Sequence, residues 1–143
     1  MQREINQQWF FPHAPEKIWD YLTKPELLSQ WVMENDIKPI PGHNFSFRTK
    51  PIPQMNLDGI FHCEVLEVVP NRKLSYTWNC GSGDGSMLLS SIVQWTITPK
   101  EQGTELVLKH YGLQTELNEI IYNGMDSGWA GNVKKMLGFL NQD

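Results

Sequence analysis

The sequence predicts an α+β fold in which a curved antiparallel sheet of about six strands is closed by one long C-terminal helix. Three observations lead there. From His43 to Gly112 the chain reads as almost unbroken β alternation, and at Glu116 the period changes and stays helical to the end. Two short helical segments lie between the first strand and the rest. A single long amphipathic helix laid across the concave face of such a sheet encloses a space, so the pattern itself raises the prospect of an apolar pocket.

Ile5 to Phe11 forms the first strand, with Ile5, Gln7, Trp9 and Phe11 on one side. Pro15 suits the first turn of a helix whose apolar residues are Ile18, Trp19 and Leu22. Thr23-Lys24-Pro25-Glu26 matches a capping box, in which the Thr23 hydroxyl accepts from the Glu26 amide and opens a second short helix carrying Leu27, Leu28 and Trp31. Pro39, Pro41 and Gly42 turn the chain. Phe45 and Phe47 share a face of the next strand, and the two prolines between Pro51 and Asn56 mark a loop. Ile60 to Val69 changes parity between Val65 and Leu66, which a bulge explains. Leu74, Tyr76 and Trp78 follow the Pro70-Asn71 turn. Val93, Trp95 and Ile97 alternate after the glycine-rich loop 81–85, and Leu106, Leu108 and His110 follow the Gln102-Gly103 turn.

The last element has a broad apolar face made by Leu117, Ile121, Met125, Trp129, Val133, Met136 and Leu140. Gly124, Gly128, Gly131 and Gly138 fall within roughly 80° of one another on it at about 100° per residue. Each glycine costs about 0.5–1 kcal/mol against alanine inside a helix, so the stripe is expected where the sheet or a ligand approaches the backbone, the sheet being the stronger candidate. Added bulk at Gly128 is then expected to destabilise the fold. A break near Gly124, capped by Asp126 or Ser127, is the other way to place these residues.

At 143 residues the chain suits a single domain over 1–143. Its net charge of −4 is unfavourable for a nucleic-acid partner, and no apolar run reaches membrane-spanning or signal-peptide length. Cys63 and Cys80 keep no metal or redox spacing, so free thiols and a cytoplasmic location are expected. His13, His43, His62 and His110 are scattered, no nucleophile elbow is present, and Gly81-Ser82-Gly83-Asp84-Gly85 lacks the lysine and helix of a phosphate loop. No catalytic residue, metal site or cofactor is expected.

Parity gathers a different set. Phe45, Phe47, Phe61, Trp78 and His110 project from the strands toward Met125 and Trp129 on the final helix, and these seven are expected around a cavity. Trp31 is expected at its mouth, beside Trp78. His110 is the candidate polar anchor, with a histidine satisfied inside the core as the alternative.

Pro15-Glu16-Lys17-Ile18-Trp19, followed by Thr23-Lys24-Pro25-Glu26-Leu27-Leu28 and Trp31, resembles the N-terminal signature of the START-like (SRPBCC) superfamily. Pro70-Asn71-Arg72-Lys73-Leu74-Ser75-Tyr76-Thr77-Trp78, then Val93-Gln94-Trp95-Thr96-Ile97-Thr98-Pro99, is similar to its central hairpin, and Gly103-Thr104-Glu105-Leu106-Val107-Leu108-Lys109-His110 with Gly128-Trp129 completes the resemblance. The branch it resembles is the family related to the activator of the heat-shock protein 90 ATPase. The resemblance implies a helix-grip fold and brings three functional expectations. The first is a binding protein for a lipid-like, aromatic or polyketide-like molecule. The second is a protein-interaction or co-chaperone-like module of the stress response, with a protein partner or a homodimer. The third is a cyclase or hydrolase on a hydrophobic substrate. The separate N-terminal domain of the chaperone activator is not expected in this chain, which favours the first.

Overall fold

A computed structural model describes residues 2–85, 87–114 and 119–142. In chain order the elements are β1 (Gln2–Phe11), α1 (Pro15–Thr23), α2 (Pro25–Trp31), β2 (Glu34–Asn35), β3 (Asn44–Arg48), a 3-10 turn at Pro53–Met55, β4 (Ile60–Val69), β5 (Lys73–Cys80), β6 (Leu89–Lys100), β7 (Gly103–Gln114) and α3 (Glu119–Leu140). The strands form one antiparallel, curved sheet in the order β1-β7-β6-β5-β4-β3-β2. The expected architecture is present with seven strands rather than about six. The extra one is β2, whose two residues pair with Arg48 and Phe47 and are too few to leave a period in the sequence. The expected helix onset at Glu116, and Leu117 on its apolar face, lie outside the described residues.

Strand parity places the core. Ile5 and Phe11 in β1, Leu74, Tyr76 and Trp78 in β5, Val93, Trp95 and Ile97 in β6, and Leu106, Leu108 and His110 in β7 are all buried. β4 slips register between Val65 and Glu67, so Val65 is buried while Leu66 is 41% exposed and Val68 turns back toward the core. That bulge accounts for the change of parity in its sequence.

The break between α1 and α2 has a different cause from the expected capping box. Thr23 belongs to α1, where its hydroxyl donates back to the Trp19 carbonyl at 2.7 Å, and Lys24 rather than Thr23 stands at the N-cap of α2, which has no side-chain cap. Pro25 makes the break. It excludes the helical region for the residue before it, and Lys24 is extended (φ −97°, ψ 120°) while serving as the last cap of α1 and the first of α2. The Trp31 indole N–H then donates to the Tyr21 carbonyl at 2.9 Å and ties the two helices together.

α3 is continuous, with no break at Gly124; the Ser127 hydroxyl donates to the Asn123 carbonyl instead of capping a new helix. Ile121, Trp129, Val133, Met136 and Leu140 form the buried face of α3. The glycine stripe is not part of it. A Cβ at Gly128, Gly131 or Gly138 would meet nothing within 4 Å, and one at Gly124 would meet the end of the Met55 side chain, which comes from a loop. Close packing against the sheet therefore explains none of the four glycines, and the expected destabilisation by bulk at Gly128 is withdrawn.

One glycine elsewhere does have a strict backbone role. Gly59 sits at φ +87°, and a Cβ there would lie within 3.0 Å of backbone atoms of Thr49 and Lys50. It closes the loop through Thr49 N–H to Gly59 carbonyl at 2.8 Å. Two substitutions should consequently move stability in opposite directions in urea denaturation. Gly59→Ala is expected to lower the unfolding free energy by more than about 1 kcal/mol, while the exposed Gly131→Ala should raise it by about 0.5–1 kcal/mol.

Candidate functional site

A cavity of about 130 Å³ lies between the first half of α3 and the strands opposite it. Phe61 of β4 with Trp78 and Cys80 of β5 form the sheet wall, and Gly124, Met125, Gly128, Trp129 and Asn132 form the helix wall. The remaining side comes from irregular chain: Val32 and Met33 after α2, and Ile52, Met55 and Leu57 from the loop that Gly59 closes. Among the described residues no charged side chain borders the space. Its walls are aromatic rings, aliphatic chains and three methionines, the residues that adapt most cheaply to an irregular shape.

Behind it the rings form a continuous cluster. Trp78 packs on Phe61 at 4.7 Å and on Trp129 at 5.2 Å between centroids, and Trp129 meets Trp95 edge to face at 5.4 Å. Trp31 meets Trp95 edge to face at 5.8 Å. Such pairs each add about 0.5–1.5 kcal/mol beyond area burial. Phe45 and Phe47 pack against Tyr76 in the same cluster, at 5.3 and 6.0 Å.

A hydrogen-bond relay threads these rings. The Trp129 indole N–H donates to His110 Nδ1 at 3.1 Å. Indole is only a donor, so Nδ1 holds the lone pair and the proton of the neutral ring sits on Nε2. Nε2 lies 2.8 Å from Ser91 Oγ, and the Ser91 hydroxyl donates to the Trp78 carbonyl at 2.9 Å. Each donor finds one acceptor. Burial pushes the His110 pKa down to about 3, since an imidazolium there would be desolvated and would lose its bond from Trp129.

Of the expected site residues, Phe61, Trp78, Met125 and Trp129 border the cavity together. Trp31, Phe45, Phe47 and His110 do not; they are buried in the cluster behind it. For Trp31 the reason is its bond to Tyr21, which draws it under the helices and leaves Val32 and Met33 at the mouth. For His110 it is the relay, which uses both ring nitrogens. Ile52, Met55 and Leu57 were hidden within a stretch that reads as a loop, where apolar residues without a period were the available signal. Cys63 and Cys80 are buried free thiols, and burial pushes the Cys80 pKa up to about 12, making it a poor nucleophile at neutral pH. Among the described residues, no three of His, Cys, Asp and Glu come together as a metal site would require.

Three of the four buried indole N–H groups have acceptors: Tyr21 carbonyl for Trp31, Tyr76 hydroxyl for Trp95, and His110 for Trp129. Trp78 Nε1 is buried with none.

Residues 12–140 match the family model of activator of Hsp90 ATPase homolog 1-like proteins. No curated protein shows significant similarity to the chain. Among solved structures, protein MLL2253 from Mesorhizobium loti is 36% identical with a TM-score of 0.87, the match covering 98% of each chain. DynU16, from the dynemicin biosynthetic locus, is 18% identical with a TM-score of 0.75, over 96% of this chain and 47% of its own. The Aha1 dimer from Colwellia psychrerythraea is 18% identical with a TM-score of 0.73, over 94% of this chain and 92% of its own. At that identity the last two establish likeness of fold alone.

The relay sets a pH dependence. Unfolded His110 takes up a proton near its ordinary pKa of 6.5, whereas the folded ring stays neutral to about 3. Above 6.5 both states are neutral and the group contributes no pH dependence. Between 6.5 and 3 the unfolded state is favoured increasingly, by about 1.4 kcal/mol per pH unit, and below 3 the penalty is constant. Urea denaturation at pH 7.5, 5.5 and 4.5 should therefore show wild type losing stability relative to His110→Gln as the pH falls. Parallel stability curves for the two proteins would place His110 in contact with water.

Proposed function

The chain belongs to the family of activator of Hsp90 ATPase homolog 1-like proteins, and we propose that it binds a small hydrophobic molecule in the cavity between sheet and α3. The supporting observation is the cavity's lining, apolar and partly aromatic, with the Trp78 indole and the half-buried Asn132 as its polar members. That is the make-up of small-molecule sites in general.

Size narrows the ligand. Pockets for drug-sized molecules run to roughly 300–1,000 Å³, whereas a dry cavity of about 150 Å³ takes up benzene. At about 130 Å³ this one suits a single ring. A longer lipid or polyketide needs Met33, Met55 and Met125 to swing aside. Binding is preferred to catalysis because Cys80, the one ionisable side chain among the described residues of the wall, and His110 behind it are both held neutral at physiological pH. In this reading residues 1–143 act as one START-like domain, and buried free thiols suit a cytoplasmic setting. Among the described residues no helix is long and apolar enough to cross a membrane.

A second reading rests on a different surface. An open groove between β1 and α3 is lined by Trp9, Phe10, Val133 and Leu137, and Phe10 is 52% exposed. A protein partner or second copy seated there would cover it, and Phe10→Ser would then abolish the association seen by size-exclusion chromatography.

The glycine on the cavity wall gives the first reading its test. Since a Cβ at Gly128 meets nothing within 4 Å, Gly128→Leu should fold with an undiminished melting temperature while filling part of the cavity. Toluene binding, followed by NMR, is expected to weaken at least about tenfold, the loss of roughly a ring's worth of buried contact. No binding by wild type, or equal binding by both proteins, would retire the proposal.

A further inference from the structure

The unpaired indole specifies what the cavity's ligand must present. We propose that the ligand is a neutral, single-ring molecule bearing an oxygen acceptor, such as an aryl ketone, aldehyde or quinone, whose oxygen accepts from Trp78 Nε1–H. This rests on the binding reading above and goes further by naming the chemistry.

Three observations converge on it. Trp78 is 4% exposed, and its N–H is the one donor among the buried indoles with no acceptor among the described residues. Leaving a buried donor unmade is expensive, and native structures rarely tolerate it without a reason. Trp78 also stands on the cavity wall, whereas Trp31 and Trp95, whose donors are satisfied, stand behind it. Among the described residues the wall carries no charged side chain that would pair a carboxylate or ammonium, which favours an oxygen on a neutral group.

Water does not fill the role. The indole nitrogen exposes less than 1 Å². An acceptor has to arrive on a molecule that makes the surrounding side chains yield, and the wall includes Met33, Met55 and Met125, which re-pack at low cost. The remaining indole on the wall, that of Trp129, is committed to His110. Of the two indoles on the wall, Trp78 is therefore the one left to give a ligand direction.

Acetophenone and α-methylstyrene test this, because they have nearly the same shape and ring current and differ in C=O against C=CH₂. Both are titrated into ¹⁵N-labelled protein while the indole N–H signals of the six tryptophans are followed, with Trp78→Phe identifying the signal of interest. The expected result is that both bind, acetophenone roughly three- to tenfold more tightly, the usual worth of one neutral hydrogen bond. One indole proton should move downfield with the ketone alone, and the preference should vanish in Trp78→Phe. If that variant fails to fold, the difference between the two ligands in the wild-type spectrum decides by itself. Equal affinities with no indole proton moving differently between the ligands overturn the acceptor proposal and leave the apolar-cavity reading standing. Failure of both ligands to bind overturns the two together.

Discussion

The structure depends on one contact between helix and sheet: the Trp129 indole held by His110. Apolar burial alone would press α3 onto the sheet but leave it free to slide, because dispersion contacts are non-directional. A buried hydrogen bond between an indole and an imidazole fixes both register and rotation. His110 is locked in turn by Ser91, and Ser91 by the Trp78 carbonyl, so β7, β6 and β5 are tied to α3 through four residues in sequence. The same lock decides which face of α3 looks at the sheet. It turns Trp129 and Val133 inward and leaves Gly131 and Gly138 in solvent.

The cavity follows from that lock. With α3 held at Trp129, the first half of the helix spans a gap that the strands do not fill, and the chain after α2 and the loop from Lys50 to Asp58 close over it. The residues that reach in from there are large but pliable, so the space is small without being rigidly plugged. Most polar chemistry is kept at the back, where each buried donor and acceptor of the relay is matched, and the front is apolar apart from the Trp78 indole and Asn132. That separation explains how a buried histidine can sit one ring away from a hydrophobic cavity without acting in it.

The fold was largely legible in the sequence, because period is a local signal and this sheet is built from local steps. β3 to β7 follow one another as antiparallel neighbours, and even the bulge in β4 shows as a change of parity. The site was legible only in part, for physical reasons that differ by residue. Phe61, Trp78, Met125 and Trp129 reach the cavity because parity and helical spacing determine the side from which they project. Parity does not give depth, so Phe45, Phe47 and His110 share the same face yet stop in the layer behind. Trp31 was misplaced because one hydrogen bond to Tyr21 outweighed its position at a helix end. Ile52, Met55 and Leu57 have no period at all, and only the closed loop shows where they point. The capping box at Thr23 failed because a proline two residues later made the break first.

The division of the cavity wall has a consequence for how such proteins diverge. Trp78 and Trp129 serve the core and the wall at once, so a change in either alters folding and recognition together. Met55 and Ile52 are half-buried, hang from a loop, and leave the relay untouched. Drift at those two positions can reshape the binding space while the scaffold stays constant. Gene duplicates of this chain would then acquire new ligand preferences first through the loop, with the aromatic floor kept as the common inheritance.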